Sequence, residues 1–237
     1  MSHIVRPHRL AALVAFALAT AGCTNDLGPI PSQPDGDTRI RFLHAAAGVG
    51  PVTLRWNGTI AAANIAFGTV GTTGAYLPLA AGQRSIAVTQ SSNDDLLTGG
   101  IITTAVDQPF TLALIPRGTD FDLAVLSDTN TTPIGKAKLR FVHLASSLRN
   151  LDVYATAPGA DLAAIDPTDP LIPYGTTSAY VVVDPGTYQV RFTGSLDKTV
   201  RADAGSITVA AGQIRTVVAL DPASSGGAAQ ALVLVDR

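Results

Sequence analysis

Apolar and polar residues alternate along short segments of this chain, and the same run of segments is written twice. In Arg39-Ile40-Arg41-Phe42-Leu43-His44-Ala45, the side chains of Ile40, Phe42 and His44 fall on one side of an extended backbone, with Arg39, Arg41 and Leu43 on the other. Leu139-Arg140-Phe141-Val142-His143-Leu144-Ala145 repeats the pattern, setting Leu139, Phe141 and His143 against Arg140 and Val142. A second strand follows in each copy, with Val52, Leu54 and Trp56 inward in the first and Leu151 and Val153 inward in the second. The first copy then turns at Asn57-Gly58, a strong two-residue hairpin signal, while the second enters a longer loop at Pro158-Gly159.

The copies rejoin at Phe67-Gly68-Thr69 and Tyr174-Gly175-Thr176, then at Ala75-Tyr76-Leu77 and Ala179-Tyr180-Val181. Their offset is 99 residues at the histidines and 107 at Gly68 and Gly175, so the second copy carries an insertion of 8 residues between Ala157 and Tyr174. Ala81-Gly82-Gln83 and Pro185-Gly186-Thr187 each turn into an alternating strand. Three further strands are expected in each copy, over 100–106, 110–115 and 121–126 and over 206–210, 214–220 and 231–235. Seven or eight short strands at intervals of roughly 10 to 15 residues, punctuated by Gly and Pro, point to a sandwich in each copy. The expected class is all-β: two tandem immunoglobulin-like or transthyretin-like antiparallel β-sandwiches after an N-terminal signal segment. The divisions are 1–22 signal peptide, 23–37 tether, 38–128 first sandwich, 129–136 linker and 137–237 second sandwich. The linker is short, so the sandwiches are expected to be neighbours with limited freedom.

Composition strengthens the strand reading. The chain of 237 residues contains no glutamate and only three lysines, and all 18 acidic residues are aspartates, so long charged helix faces are not available to it. Twenty-two glycines and 15 prolines supply turns. The formal net charge of −2 leaves no basic footprint for nucleic acid.

The amino terminus carries an address. Arg6 and Arg9 precede an apolar run from Leu10 to Ala19, and Thr20-Ala21-Gly22-Cys23 follows, the form of a secretory signal too short to span a membrane. Cys23 is the sole cysteine, and its setting resembles the lipobox of bacterial lipoproteins, in which the thiol is alkylated by diacylglycerol and the new amino terminus acylated. Thr20 departs from the usual Leu. Ala19-Thr20-Ala21 also fits ordinary cleavage, which would release a soluble protein with a free thiol. Lipidation is the expectation, because a lone cysteine placed at a cleavage site is hard to explain otherwise; two or three acyl chains at ~0.8 kcal/mol per buried methylene would then anchor the protein firmly. Thr24 in place of an aspartate implies, by the same resemblance, transfer to the outer membrane. The proline-rich stretch from Thr24 to Asp37 would reach ~40 Å if polyproline-like.

The opening R-F-x-H-A strand, Asp152-Val153-Tyr154, the aromatic-glycine turn and Pro185-Gly186-Thr187-Tyr188 together resemble the domain of unknown function 4397, a bacterial envelope domain often found in tandem on lipoproteins. The likeness extends over nearly all of the chain beyond the tether and is better in the second copy, since Val52-Thr53-Leu54-Arg55 stands where D-V-Y would be expected. It implies a small envelope β-sandwich and supplies no activity.

His44 and His143 are the histidines left after processing, and an imidazole in that place is expected to cap its strand by satisfying nearby backbone groups. The chemical alternative is a hydrolase or metal-dependent enzyme using His143 with Asp152, whose counterpart in the first copy is Thr53. Asp152 and Tyr154 are otherwise read as structural repeat-motif residues. Ser146 and Ser147 lie after His143 without a G-x-S-x-G elbow. Asp161, Asp166 and Asp169 on the inserted loop offer carboxylates for calcium, which gives a second alternative, a calcium-stabilised adhesion module. Leu162, Ile165, Leu171 and Ile172 make the same loop a contact surface. Trp56 belongs in the core, or, if exposed beside Arg55, on a carbohydrate-stacking platform. The reading favoured is a non-catalytic envelope lipoprotein without cofactor or metal, binding an envelope protein or glycan.

Overall fold

The computed structural model describes residues 34–71, 76–195 and 197–236. The signal peptide, Cys23, residues 24–33 of the tether and Ala75 lie outside them. Among the described residues no helix occurs, and the backbone forms seventeen strands.

The first repeat contributes β1 (Asp37–His44), β2 (Val52–Trp56), β3 (Thr59–Ile65), β4 (Leu77–Ala80), β5 (Gly82–Gln90), β6 (Leu96–Thr104), β7 (Pro109–Arg117) and β8 (Asp120–Ser127). They form an outer sheet in the order β3-β2-β5-β6 and an inner sheet in the order β4-β1-β7-β8. The second contributes β9 (Ala137–Leu144), β10 (Leu151–Thr156), β11 (Asp169–Ile172), β12 (Thr176–Thr177), β13 (Val181–Val183), β14 (Gly186–Gly194), β15 (Val200–Val209), β16 (Ile214–Leu220) and β17 (Gln230–Val235). Its outer sheet is β11-β10-β14-β15 and its inner sheet β12-β9-β16-β17, with β13 also pairing β9.

Local chemistry explains the turns. Asn57 and Gly58 both take positive φ, 51° and 80°, as a two-residue hairpin between twisted strands requires. Two departures from the sequence reading concern the strands. Each inner sheet contains one parallel pair, β1 with β7 and β9 with β16, so the sheets are mixed rather than wholly antiparallel. The strands expected at 100–106 and 206–210 begin earlier, at Leu96 and Val200: Gly99-Gly100 reads as a breaker yet sits inside β6, and Arg201 and Asp203 hide the alternation of β15.

Each sandwich has its own core. Ile40, Phe42, Leu54, Leu112 and Trp56 fill the first, and Leu139, Phe141, Val153, Phe192 and Val217 the second. Each full burial of such a side chain contributes ~1.5–3 kcal/mol. A third core joins the repeats. Leu43, Ala45, Ala113, Ile115 and Leu126 from the first inner sheet pack with Val142, Leu144, Val218, Leu220 and Leu234 from the second. The face assigned outward in both opening strands is therefore buried between the inner sheets, and the described residues belong to one compact unit.

Candidate functional site

The largest concentration of chemistry-bearing side chains lies in this seam. Arg41 on β1 and Arg140 on β9 occupy matching positions, and their side chains are 0% and 2% exposed. Each arginine crosses to the other repeat. Arg41 Nη2 donates to Asp236 Oδ1 at 2.6 Å, and Arg140 Nη2 donates to Asp128 Oδ1 at 2.5 Å. Each also donates through Nη1 to the carbonyl just before that aspartate, Arg41 to Val235 O at 3.0 Å and Arg140 to Ser127 O at 2.7 Å. Each Nε donates to a threonine on the neighbouring strand, Arg41 to Thr111 and Arg140 to Thr216. Those hydroxyls in turn donate to Asp128 at 2.6 Å and Asp236 at 2.5 Å. Tyr76 and Tyr180 cover the guanidinium groups, with 4.8 and 4.7 Å between guanidinium carbon and ring centre. Burial, with the Asp128 carboxylate next, drives the Tyr76 phenol far above its usual range, and it remains a donor to Asp128. Burial likewise raises the Asp236 carboxyl, against the pull of Arg41.

The charges are arranged to hold the repeats together. Two arginines meet two aspartates with their hydrogen bonds satisfied, the condition under which buried ions are tolerated. Periodicity alone assigns Arg41 and Arg140 to solvent. The available signal was the recurrence of Arg, Thr and Asp at matching positions in both copies.

Each histidine is engaged by its own backbone. The Nδ1 atoms of His44 and His143 accept from Ala46 N–H and Ala145 N–H, both at 3.3 Å, and each Nε2 faces a carbonyl, Gly50 O at 3.1 Å and Arg149 O at 2.9 Å. That pattern selects the neutral ring protonated at Nε2. Burial lowers both pKa values below the ordinary 6.5, the backbone contacts opposing it. Asp152 takes a different partner, accepting from Leu171 N–H at 2.8 Å.

The inserted loop folds back over the outer sheet. Tyr154 is fully buried beneath it. Asp161 accepts from Ala163 N–H two residues on, and Asp169 belongs to β11, its carboxyl pushed up by burial. No group of three or more His, Cys, Asp or Glu side chains among the described residues is arranged to hold a metal ion. The cation that the loop does hold is Lys198, whose ammonium donates to Leu162 O, Ala163 O and Ile165 O at 3.0, 3.1 and 2.9 Å and lies 5.8 Å from the centre of the Tyr154 ring. Leu162 and Ile172 are buried by this arrangement, while Leu171 remains 55% exposed.

Ser146 and Ser147 serve Asp221. Both backbone N–H groups and both hydroxyls donate to its carboxylate. Burial pushes that carboxyl up, but the four hydrogen bonds together pull it below its usual range. Trp56 is 5% exposed and donates from its indole to Ala80 O, so it offers no stacking platform.

Two open clefts remain at the surface, the first mainly polar and the second a mixture of polar side chains with Leu148 and Leu151. On the first repeat, Thr53, Arg55, Asn64, Ser91, Asn93 and Asp94 line a groove of about 430 Å³, braced by the Arg55–Asp94 ion pair. On the second, Ser147, Arg149, Asn150, Asp197 and Arg201 line one of about 280 Å³.

Fold and site thus define a tandem β-sandwich module whose most deeply buried charges fasten one repeat to the other. The family model described as Domain of unknown function (DUF4397) matches residues 38–154 and again 155–237, and the chain belongs to that family. The division between matches falls within β10, so the first match takes in β9 and part of β10. No curated protein matches the chain. Among solved structures, an alpha-glucan-binding streptococcal virulence factor is similar at 12% identity and a TM-score of 0.25, over 79% of this chain and 95% of that one. Family 41 carbohydrate-binding modules from streptococcal virulence factors are similar at 14% identity and 0.29, over 82% and 96%. The family CBM26 module CBMbc from Eubacterium rectale Amy13K, in complex with maltoheptaose, is similar at 12% identity and 0.24, over 83% and 95%. At TM-scores this low, nothing about a ligand follows from them.

Proposed function

We propose that this protein is a non-catalytic lipoprotein of the bacterial cell envelope, anchored by acyl chains on Cys23 and lodged in the outer membrane. Its double sandwich presents a binding surface to an envelope protein or glycan. The observation that supports this most is the seam. Buried ion pairs and a third apolar core make a rigid body of the two repeats, and a rigid body can hold its outer clefts at a set distance from a lipid surface. The strongest chemical groups are committed to partners within the chain: both histidine rings to backbone, Asp221 to two serines, and Lys198 to three carbonyls. The groups left facing solvent in the clefts, among them Asn93, Arg149 and Asn150, suit hydrogen bonding to hydroxyls and amides.

The test is a crosslinking pulldown of the full chain from intact envelopes, read by mass spectrometry. Acylated Cys23 in the membrane fraction and a recurrent protein or glycan crosslinked at cleft residues are expected. Recovery in the medium with an unmodified thiol would remove the anchor. A cleft that captures nothing, in cells whose envelope is unchanged by deletion, would remove the binding role.

A further inference from the structure

The outer edge of the first repeat lacks the protection found on the same edge of the second. β6 and β15 are corresponding strands, each ending its outer sheet. Edge strands expose unpaired backbone N–H and C=O groups, which proteins ordinarily guard with charges, bulges or covering segments. β15 is guarded: it carries Arg201 and Asp203, which pair with Asp197 and Gln189, and its ladder shifts register twice. β6 reads Leu96-Leu97-Thr98-Gly99-Gly100-Ile101-Ile102-Thr103-Thr104, nine residues without a charge or a proline. Its one register shift lies near its start, beside Leu96. No strand among the described residues pairs its free side. Ile101 is 71% exposed, Leu96 67% and, on neighbouring β8, Val125 51%. A largely apolar opening of about 200 Å³ lies between the two edge strands, reaching Ile86 and Leu112 where Gly99 and Gly100 have no side chains; the one charge lining it, Asp122 of β8, is paired with Arg117.

We infer that β6 is a self-association edge, on which a second copy of this chain docks its own β6 antiparallel about Gly100. The occupant follows from symmetry. In a two-fold contact each residue meets its own mates, so a charged edge must manage its own charges across the axis, whereas β6 has none to manage. Centring on Gly100 sets Thr98 opposite Ile102 and Gly99 opposite Ile101. The exposed isoleucine then lies across from bare glycine backbone, and the pattern reads the same from either copy. The other edge of this sheet, β3, is also uncharged, but two register shifts and the positive φ of Asn64 interrupt it. Head-to-tail growth from β6 to β3 is therefore disfavoured, and the association closes as a dimer. A contact of one strand pair is small beside the ~1,200–2,000 Å² of a stable interface, so a weak, concentration-dependent dimer is expected.

Gly100 provides the test. A Cβ built there meets nothing within 4 Å, and its φ is not positive, so Gly100→Cys is compatible with the fold. Directly opposed residues in an antiparallel pair lie ~4.5–5.5 Å apart, inside the ~4.4–6.8 Å that a disulfide spans. In the detergent-solubilised full chain carrying Gly100→Cys, mild oxidation is expected to give a dimer, with the disulfide mapped by mass spectrometry to the substituted position in both chains. Adding Ile101→Lys is expected to cut the yield at least tenfold while circular dichroism stays unchanged. Thr208→Cys, on the guarded edge β15, is expected to stay monomeric. No dimer linked at the Gly100 position, a dimer indifferent to Ile101→Lys, equal linkage through Thr208→Cys, or a ladder of species beyond the dimer would each overturn the inference.

Discussion

Along their inner sheets the two repeats have kept the same polar side chains, and on their outer sheets they have not. Arg41 and Arg140, Thr111 and Thr216, Asp128 and Asp236, Tyr76 and Tyr180, and His44 and His143 hold matching places with matching partners. On the outer sheets Thr53 faces Asp152 in the comparison and Arg55 faces Tyr154. A two-residue hairpin is replaced by the loop that Lys198 closes, and an uncharged edge strand by a charged one. The arginines and aspartates are constrained from both sides at once, because each reaches into the other copy, and the threonines and tyrosines are tied to them. An outer position answers only to its own repeat and to solvent, so it was free to change. The two repeats therefore share one scaffold without sharing one binding surface, and a function located on one outer sheet cannot be carried to the other by symmetry.

The sharpest way to break this comparison is to remove one arginine from the seam. Arg140→Met leaves Asp128 buried without its 2.5 Å partner and is expected to destabilise the protein by about 3–5 kcal/mol, measured by denaturant unfolding of the full chain. Arg41→Met is expected to cost about as much, since it strips Asp236 in the same way. Both losses belong to the seam rather than to one sandwich, so a single transition should move as a whole. A transition that splits, with one repeat unaffected, would mean that the repeats fold as independent bodies.

The strand content, the duplication and the two inward-facing cores were legible because period-two alternation records which side of a strand is apolar. Ile40, Phe42, Val153 and Phe192 lie where that pattern puts them. The seam was not legible by the same rule. A strand buried on both faces has no polar side, and Arg41 and Arg140 present the appearance of solvent-facing residues while being buried by a second sheet. The remaining part of the site, Lys198 in its carbonyl cradle, depends on loop carbonyls, which leave no trace in residue identity. Asp161, Asp166 and Asp169 drew attention to the right loop through their charge, but the cation there is supplied from 33 to 36 residues away along the chain.

Acid sharpens the comparison without a substitution in the seam. Burial lowers both histidine pKa values, so the folded protein holds the rings neutral at pH values where the unfolded chain already binds protons. Their contribution to stability is complete above the ordinary value of 6.5 and is lost as pH falls through the lowered folded values. Over that window unfolding takes up protons from solvent, one at the histidine of each repeat. Asp236, raised by burial, has the opposite sign and loses stability as pH rises, but it is common to both single variants. Stability measured against pH is expected to show His44→Asn and His143→Asn each removing one share of the acid slope. A slope that disappears entirely with either variant would show that the two sites are not equivalent.

The smallest expected effect comes from the one atom that separates the two aromatic neighbours of the histidines. Phe67 and Tyr174 stand edge-on to His44 and His143 at 6.1 and 5.9 Å, and only Tyr174 has a hydroxyl, which donates to Pro116 O of the other repeat at 2.6 Å. Burial, with Asp221 second, pushes that phenol up to about 12, so the donor is retained through the pH range in which the fold is studied. Tyr174→Phe gives the second repeat the first repeat's ring and leaves the Pro116 carbonyl without this donor, at a cost of about 0.5–1.5 kcal/mol in denaturant unfolding. The ring contact with His143 does not involve the hydroxyl, so the acid slope should be unchanged in this variant. If the slope moved along with the stability, the hydroxyl would be coupled to the imidazole through Asp221, and the second repeat would then contain a linkage that the first has no atoms to make.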